Sequence, residues 1–146
     1  MAKMSKQQRE EFLADTHVGV LSVAGEPGSA PTSVPTFYAY EPGGELTMFT
    51  GTQRRTPKRI DRIKAAGVVT LVVQREQMPP AYVTVEAELV STTKPTHEQM
   101  LTIARRYMPE EHAQGYVQTE LGDPENLVTL FTFRPTRWLS SDTSTD

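Results

Sequence analysis

Short β-branched runs cut apart by glycine- and proline-rich turns constrain this chain more than any other feature. Val18–Ala24 is short and rich in valine, as a strand requires. Gly25-Glu-Pro-Gly-Ser29 turns the chain, and Ala30–Tyr40 resumes an extended course. Pro31 and Pro35 cannot donate to a ladder, so this second run is expected to be irregular or to lie at an edge. Glu41-Pro-Gly-Gly44 makes another hairpin turn, followed by a strand over Glu45–Thr50. Val68–Gln74 is nearly continuous in valine, threonine and leucine, the pattern of a strand buried on both faces. Ala81–Val90 alternates and reads as half-exposed, and Asn126–Phe133 supplies a last strand that continues past Pro135 toward Trp138. Six strands joined mostly by hairpins argue for a small antiparallel barrel, mainly β with α+β character, rather than a βαβ sheet.

Helices enter singly. Ser5 with Gln8, and Thr96 with Gln99, have the capping-box spacing and open helices that present Phe12 and Leu13, and Met100, Ile103, Ala104 and Tyr107, to the core. A third helix begins near Thr56-Pro57, buries Ile60 and Ile63, and ends at Gly67. The expected organisation is one domain over residues 1–139 and a disordered tail over 140–146. Lacking any apolar run near the roughly 20 residues of a membrane span, and any apolar leader core, the chain is expected to be cytoplasmic.

Much familiar chemistry is excluded by residue type. With no cysteine, disulfide frameworks, thiolate metal sites and cysteine nucleophiles are absent. His17, His97 and His112 are far apart and none has metal-ligand spacing with another. The chain contains neither glycine-rich dinucleotide fingerprint, nor P-loop, nor nucleophile elbow.

Charge singles out one place. The formal net charge is -3, yet Gly51–Lys64 carries six cations, Arg54, Arg55, Lys58, Arg59, Arg62 and Lys64, against Asp61 alone. Concentrated positive charge on an acidic chain points to one anion site rather than a broad nucleic-acid surface. Around it, Met48-Phe-Thr-Gly-Thr-Gln-Arg-Arg-Thr-Pro-Lys-Arg59 runs from a strand end through arginines into a capped helix start. Unpaired helix N–H groups, the hydroxyls of Thr50, Thr52 and Thr56, and paired guanidinium donors together suit a phosphate. Charge-assisted hydrogen bonds contribute roughly 1.5–3 kcal/mol each, so three or four approach the ~8 kcal/mol of micromolar affinity. The same residues also suit a plain capped surface helix after a strand.

The order of these elements resembles the FMN-binding split-barrel superfamily, which includes the pyridoxamine 5'-phosphate oxidase-like proteins and the flavin/deazaflavin oxidoreductases. The resemblance covers Ser5–Trp138 and rests on Pro31-Thr-Ser-Val-Pro-Thr-Phe-Tyr-Ala39, Leu46-Thr-Met-Phe-Thr50, the basic turn, Val68–Val73 and Tyr82–Leu89. It implies a six-stranded antiparallel split β-barrel with a few short peripheral helices, forming a homodimer with the cofactor at its interface. In that family the basic turn holds the cofactor phosphate. The matching positions are Arg54, Arg55, Thr56 and Pro57, with Lys58 or Arg59 at the lysine slot. Neighbouring strands lie along the ring, which places Ser33 to Thr36, including Pro35, and Met48 to Gly51, including Thr50, beside it, with Thr52 a hydroxyl donor of the phosphate turn. Gln74, Tyr82 or Trp138 would approach the partner's site, although Tyr82 and Trp138 also suit simple packing.

Phe133-Arg-Pro-Thr-Arg-Trp-Leu139 does not resemble the substrate motif of true pyridoxamine phosphate oxidases. Six cations exceed what one FMN phosphate requires, which favours the deazaflavin coenzyme F420 with its acidic tail; FMN is the alternative. The resemblance thus implies an oxidoreductase passing hydride to a quinone, enone or tetrapyrrole, with the proton drawn from solvent or Tyr82. A carrier or sensor without turnover, and a single-stranded nucleic-acid-binding barrel, are the other readings.

Overall fold

The computed structural model describes residues 2–52 and 58–145. Its frame is one antiparallel sheet of seven strands: β1 (Gly19–Val23), β2 (Thr32–Thr36), β3 (Ala39–Tyr40), β4 (Leu46–Gly51), β5 (Val68–Arg75), β6 (Ala81–Thr93) and β7 (Val128–Asp142). In space they run β2-β1-β5-β6-β7-β4-β3. The edge strands β2 and β3 are consecutive in sequence. Only Phe37 and Tyr38 separate them, so the chain itself, and not a ladder, links the two edges of the curled half-barrel.

Here lies the difference from the expected six strands. The run Ala30–Tyr40 breaks into β2 and β3 because Tyr38 turns fully inward. Its hydroxyl donates to the Leu13 carbonyl at 2.6 Å, and its own N–H donates to the Tyr107 hydroxyl at 3.1 Å. Backbone groups spent on those contacts cannot serve a ladder. The edge position expected from the prolines holds: Pro35 lies on β2, which pairs only with β1.

Two further expectations are corrected. β5 alternates buried Val69, Leu71 and Val73 with outward Val68, Thr70, Val72 and Gln74, so it is buried on one face only. The outward residues are exposed or half-buried, so a nearly all-apolar run is still half-exposed. Ser140 and Ser141 do not begin a disordered tail. They pair with Val83 and Tyr82, are buried, and β7 continues to Asp142, which Arg75 holds at 3.0 Å. Pro135 is accommodated by a register shift beside Ala87.

The sheet curls around a core built on Leu21, Leu71, Val83, Val85, Phe131 and Phe133. α1 (Lys6–Ala14) adds Leu13, and α2 (Lys58–Ala66) adds Ile60 and Ile63. Both capping boxes form: Ser5 opens α1 and Thr96 opens α3 (His97–Ala104). Gly67 ends α2 at φ +68°, a left-handed conformation that a residue with a Cβ adopts only at a cost, and its N–H donates to the Ile63 carbonyl at 2.9 Å.

A fourth helix, α4 (Glu110–Gly122), was not expected from the sequence. It pairs with α3 through a second small core of Met100, Leu101, Ala104, Ala113 and Val117, onto which Phe49 of β4 and Tyr116 pack. The α3–α4 hairpin thereby forms a wall at the end of β4, and this wall creates the site described next.

Candidate functional site

A cleft of about 360 Å³ opens where β2, β4, α2 and α4 converge. Its strand sides are Pro35 and Thr36, with Phe37 beyond them, and Phe49, Thr50 and Gly51. Arg59 enters from α2; Tyr116 and Glu120 face it from α4. Such a volume lies within the roughly 300–1,000 Å³ usual for small-ligand sites.

Arg59 carries the chemical character of the cleft. It is half-buried beside Ile60, and burial pulls its guanidinium pKa down from the ordinary arginine value. Its Nε is buried and has no hydrogen-bond partner among the described residues. A buried donor on a cation without an acceptor is costly, and a phosphate or carboxylate oxygen would satisfy it. The neighbouring Lys58 stands exposed at the start of α2 and does not line the cleft, so the geometry brings in Arg59 of the two alternatives.

The opposite wall is built from aromatic and hydrogen-bonded contacts. Phe37 stacks on Tyr107 with ring centroids 4.2 Å apart, and the Tyr107 hydroxyl donates to the His17 carbonyl at 2.7 Å. Phe49 packs against Tyr116 at 6.1 Å. Burial, and secondarily the charge of Glu120, raises the Tyr116 phenol pKa above its ordinary value, so it stays protonated at neutral pH. Asn126 Nδ2 donates to the Glu120 carboxylate at 2.6 Å and to its main-chain carbonyl at 3.0 Å. Gly51 makes this approach possible: a Cβ there would meet Asn126 Oδ1 at 2.5 Å and Glu120 Oε2 at 3.0 Å.

Of the residues expected at a binding site, Pro35, Thr36, Thr50, Gly51 and Arg59 come together. Arg54, Arg55, Thr56 and Pro57 lie outside the described residues. The others lie elsewhere. Ser33 is outward on β2, bonded to Ser22 at 2.8 Å. Met48 is buried in the barrel core. Thr52 is tied to the chain preceding β7, accepting from the Leu127 N–H at 3.1 Å. Trp138 packs on the core between Tyr40 and the Arg9 guanidinium, which lies 4.9 Å above its ring. Tyr82 pairs with Gln74 in the β5–β6 ladder and lines no part of the cleft.

Gln74 lines a second trough of about 530 Å³ with His17, Arg75 and Val72. Val18 and Pro35 belong to both cavities, so the two are contiguous along the outer face of β1, β2 and β5. Phe49, within the Met48–Gly51 strand expected along a ring, also lines the cleft, whereas Phe37, Val18, Tyr116 and Glu120 line it without having been expected there. Phe37 and Val18 stand in the strand runs already quoted; Tyr116 and Glu120 stand on α4, a helix whose apolar period is too weak to see. Among the described residues no His/Asp/Glu group is placed to hold a metal ion, and no helix is long and apolar enough to cross a membrane.

Solved structures reproduce this architecture. An F420 reductase superposes with a TM-score of 0.65 at 20% identity, over 89% of this chain and 94% of that one. A conserved hypothetical protein from Mycobacterium tuberculosis gives 0.71 at 16% identity, over 95% and 85%. A FAD-binding protein from Mesorhizobium loti gives 0.62 at 20% identity, over 95% and 94%. The chain therefore shares the fold of these proteins. No family model and no curated protein matches the sequence.

Proposed function

We propose that the chain is an oxidoreductase that binds coenzyme F420 in the Arg59 cleft and passes hydride to a small conjugated acceptor such as a quinone, enone or tetrapyrrole. FMN is the alternative cofactor. The observation that carries this reading is the buried, partnerless Nε of Arg59 beside a cleft edged by two strand ends. The likeness to an F420 reductase supports the choice of cofactor, as does the surplus of cations over Gly51–Lys64.

When bound, such a cofactor supplies a hydride at C5 of the deazaflavin, or N5 of a flavin. The protein supplies the rest. Arg59 takes the phosphate, and Arg54, Arg55 and Thr56, which precede it in the sequence, are the further cations and hydroxyl expected to serve it. Pro35, Thr36, Thr50 and Gly51 flank the ring, and Phe37 and Phe49 exclude water from it. Tyr116 holds a proton in the cleft wall, a better-placed donor than Tyr82.

The same reading includes a cytoplasmic homodimer. Val18 and Val20 are 54% and 38% exposed on the uncovered sheet face, where Val20 pairs with Pro35 and Val72. A second copy on this face would close the open side of the cleft and bring Gln74 and the trough around it to the neighbouring site.

Fluorescence titration with F420 and with FMN tests the proposal. Micromolar F420 binding that weakens at least tenfold in Arg59→Ala, and little in Lys58→Ala, is the expected result. Tight FMN binding with no response to F420 selects the alternative. An oligonucleotide bound with a steep salt dependence, and neither cofactor, overturns the reading.

A further inference from the structure

We propose that the Glu120 carboxylate is a second ligand-reading group of this cleft, and that it selects a phosphate ester whose neighbouring carbons carry hydroxyl groups. The inference rests on the cofactor reading above and narrows it. Among the described residues lining the cleft, Arg59 is the single cation and Glu120 the single acid. No ion pair joins them, so neither neutralises the other.

Glu120 is held in place. Asn126 grips one of its oxygens, Oε2, at 2.6 Å, and the missing side chain of Gly51 lets that oxygen rest against the β4 backbone. The other oxygen, Oε1, has no partner among the described residues. A fixed, half-buried carboxylate facing a cleft is an acceptor waiting for donors. It repels a bare anion and rewards O–H groups, the use to which an acidic residue is put when it binds a ribose hydroxyl in dinucleotide folds. One turn earlier on the same helix face, the protonated Tyr116 adds a hydroxyl to this wall.

A ligand satisfying both groups is anionic at one point and a polyol beside it. FMN and F420 share this chemistry, whereas inorganic phosphate or a simple aryl phosphate has only half of it. Glu120 would thus act as a specificity-determining residue.

Glu120→Gln tests this by the sign of its effect. The amide oxygen of the new side chain keeps the bond from Asn126, but the free oxygen becomes a donor that cannot accept from a hydroxyl. Binding of FMN or F420, followed by fluorescence, should weaken roughly tenfold. Riboflavin, with the hydroxyl chain and no phosphate, should weaken similarly, while lumiflavin, which has neither, should not change. Thermal melting of the variant checks that the fold is kept. Unchanged or tighter FMN and F420 binding in Glu120→Gln, or an equal loss with lumiflavin, overturns the proposal. If Arg59→Ala weakens FMN or F420 in that same series, the cofactor reading survives that failure; if no flavin or deazaflavin binds the wild-type protein, both fall.

Discussion

Replacing Gly51 by alanine should injure the cleft through a single methyl group. The new Cβ would lie 2.5 Å from Asn126 Oδ1, and 3.0 Å from both Asn126 Nδ2 and Glu120 Oε2, so Asn126 has to withdraw. Withdrawal strains its two donor contacts to Glu120, at 2.6 and 3.0 Å. Overpacking of this kind costs typically 1–3 kcal/mol, and the hydrogen bonds at stake are of similar size but partly recovered by water. A loss of about 2 kcal/mol follows, equivalent to a fall in Tm of roughly 4–8 °C for a domain of this size. Gly115 in the middle of α4 provides the opposite case, because nothing lies within 4 Å of its added Cβ. Gly115→Ala should stabilise by about 0.5–1 kcal/mol through helix propensity. Denaturant unfolding of both variants measures the two signs. If Gly51→Ala is neutral, or if both variants shift stability the same way, the close packing of α4 against the end of β4 is wrong.

Other consequences can be measured separately. Tyr38→Phe removes the hydroxyl that serves the Leu13 and Asp15 carbonyls at 2.6 and 3.3 Å, and should cost about 1–2 kcal/mol in chemical denaturation. Burial raises the phenol pKa of Tyr38 and Tyr107 in the folded protein. Their contribution is complete below the ordinary phenol pKa and lost above it, so alkaline titration of stability should decline above about pH 10. Glu110 is held down to about 2 by the hydrogen bonds from Arg105, with help from Gln114. Its contribution is present above the usual carboxylate range and disappears as pH falls toward that value. Carboxyl NMR should find Glu110 still ionised at pH 3, and Arg105→Ala should return it toward ordinary titration.

How much was legible in the sequence depends on how local each signal is. Ser5 with Gln8, Thr96 with Gln99, and Gly67 after α2 are contacts within a few residues, and all three form. Tyr38 is different: its partners, Leu13 and Tyr107, are 25 and 69 residues away, and they break the run into β2 and β3. α4 buries only Ala113 and Val117, contains two glycines and starts at Pro109 without a side-chain cap, so neither period nor cap announced it. Tyr116 and Glu120 stand on this helix, so no local signal points to them. Charge density drew attention to Gly51–Lys64 but could not separate Lys58 from Arg59; which of them lines the cleft depends on which side of α2 meets the end of β4.

A crystal structure of the protein with F420 bound tests the central claim most directly. The account requires a phosphate oxygen within hydrogen-bonding distance of Arg59 Nε, and the tricyclic ring between the ends of β2 and β4. F420 seated elsewhere, with the Arg59 guanidinium unengaged, would contradict it.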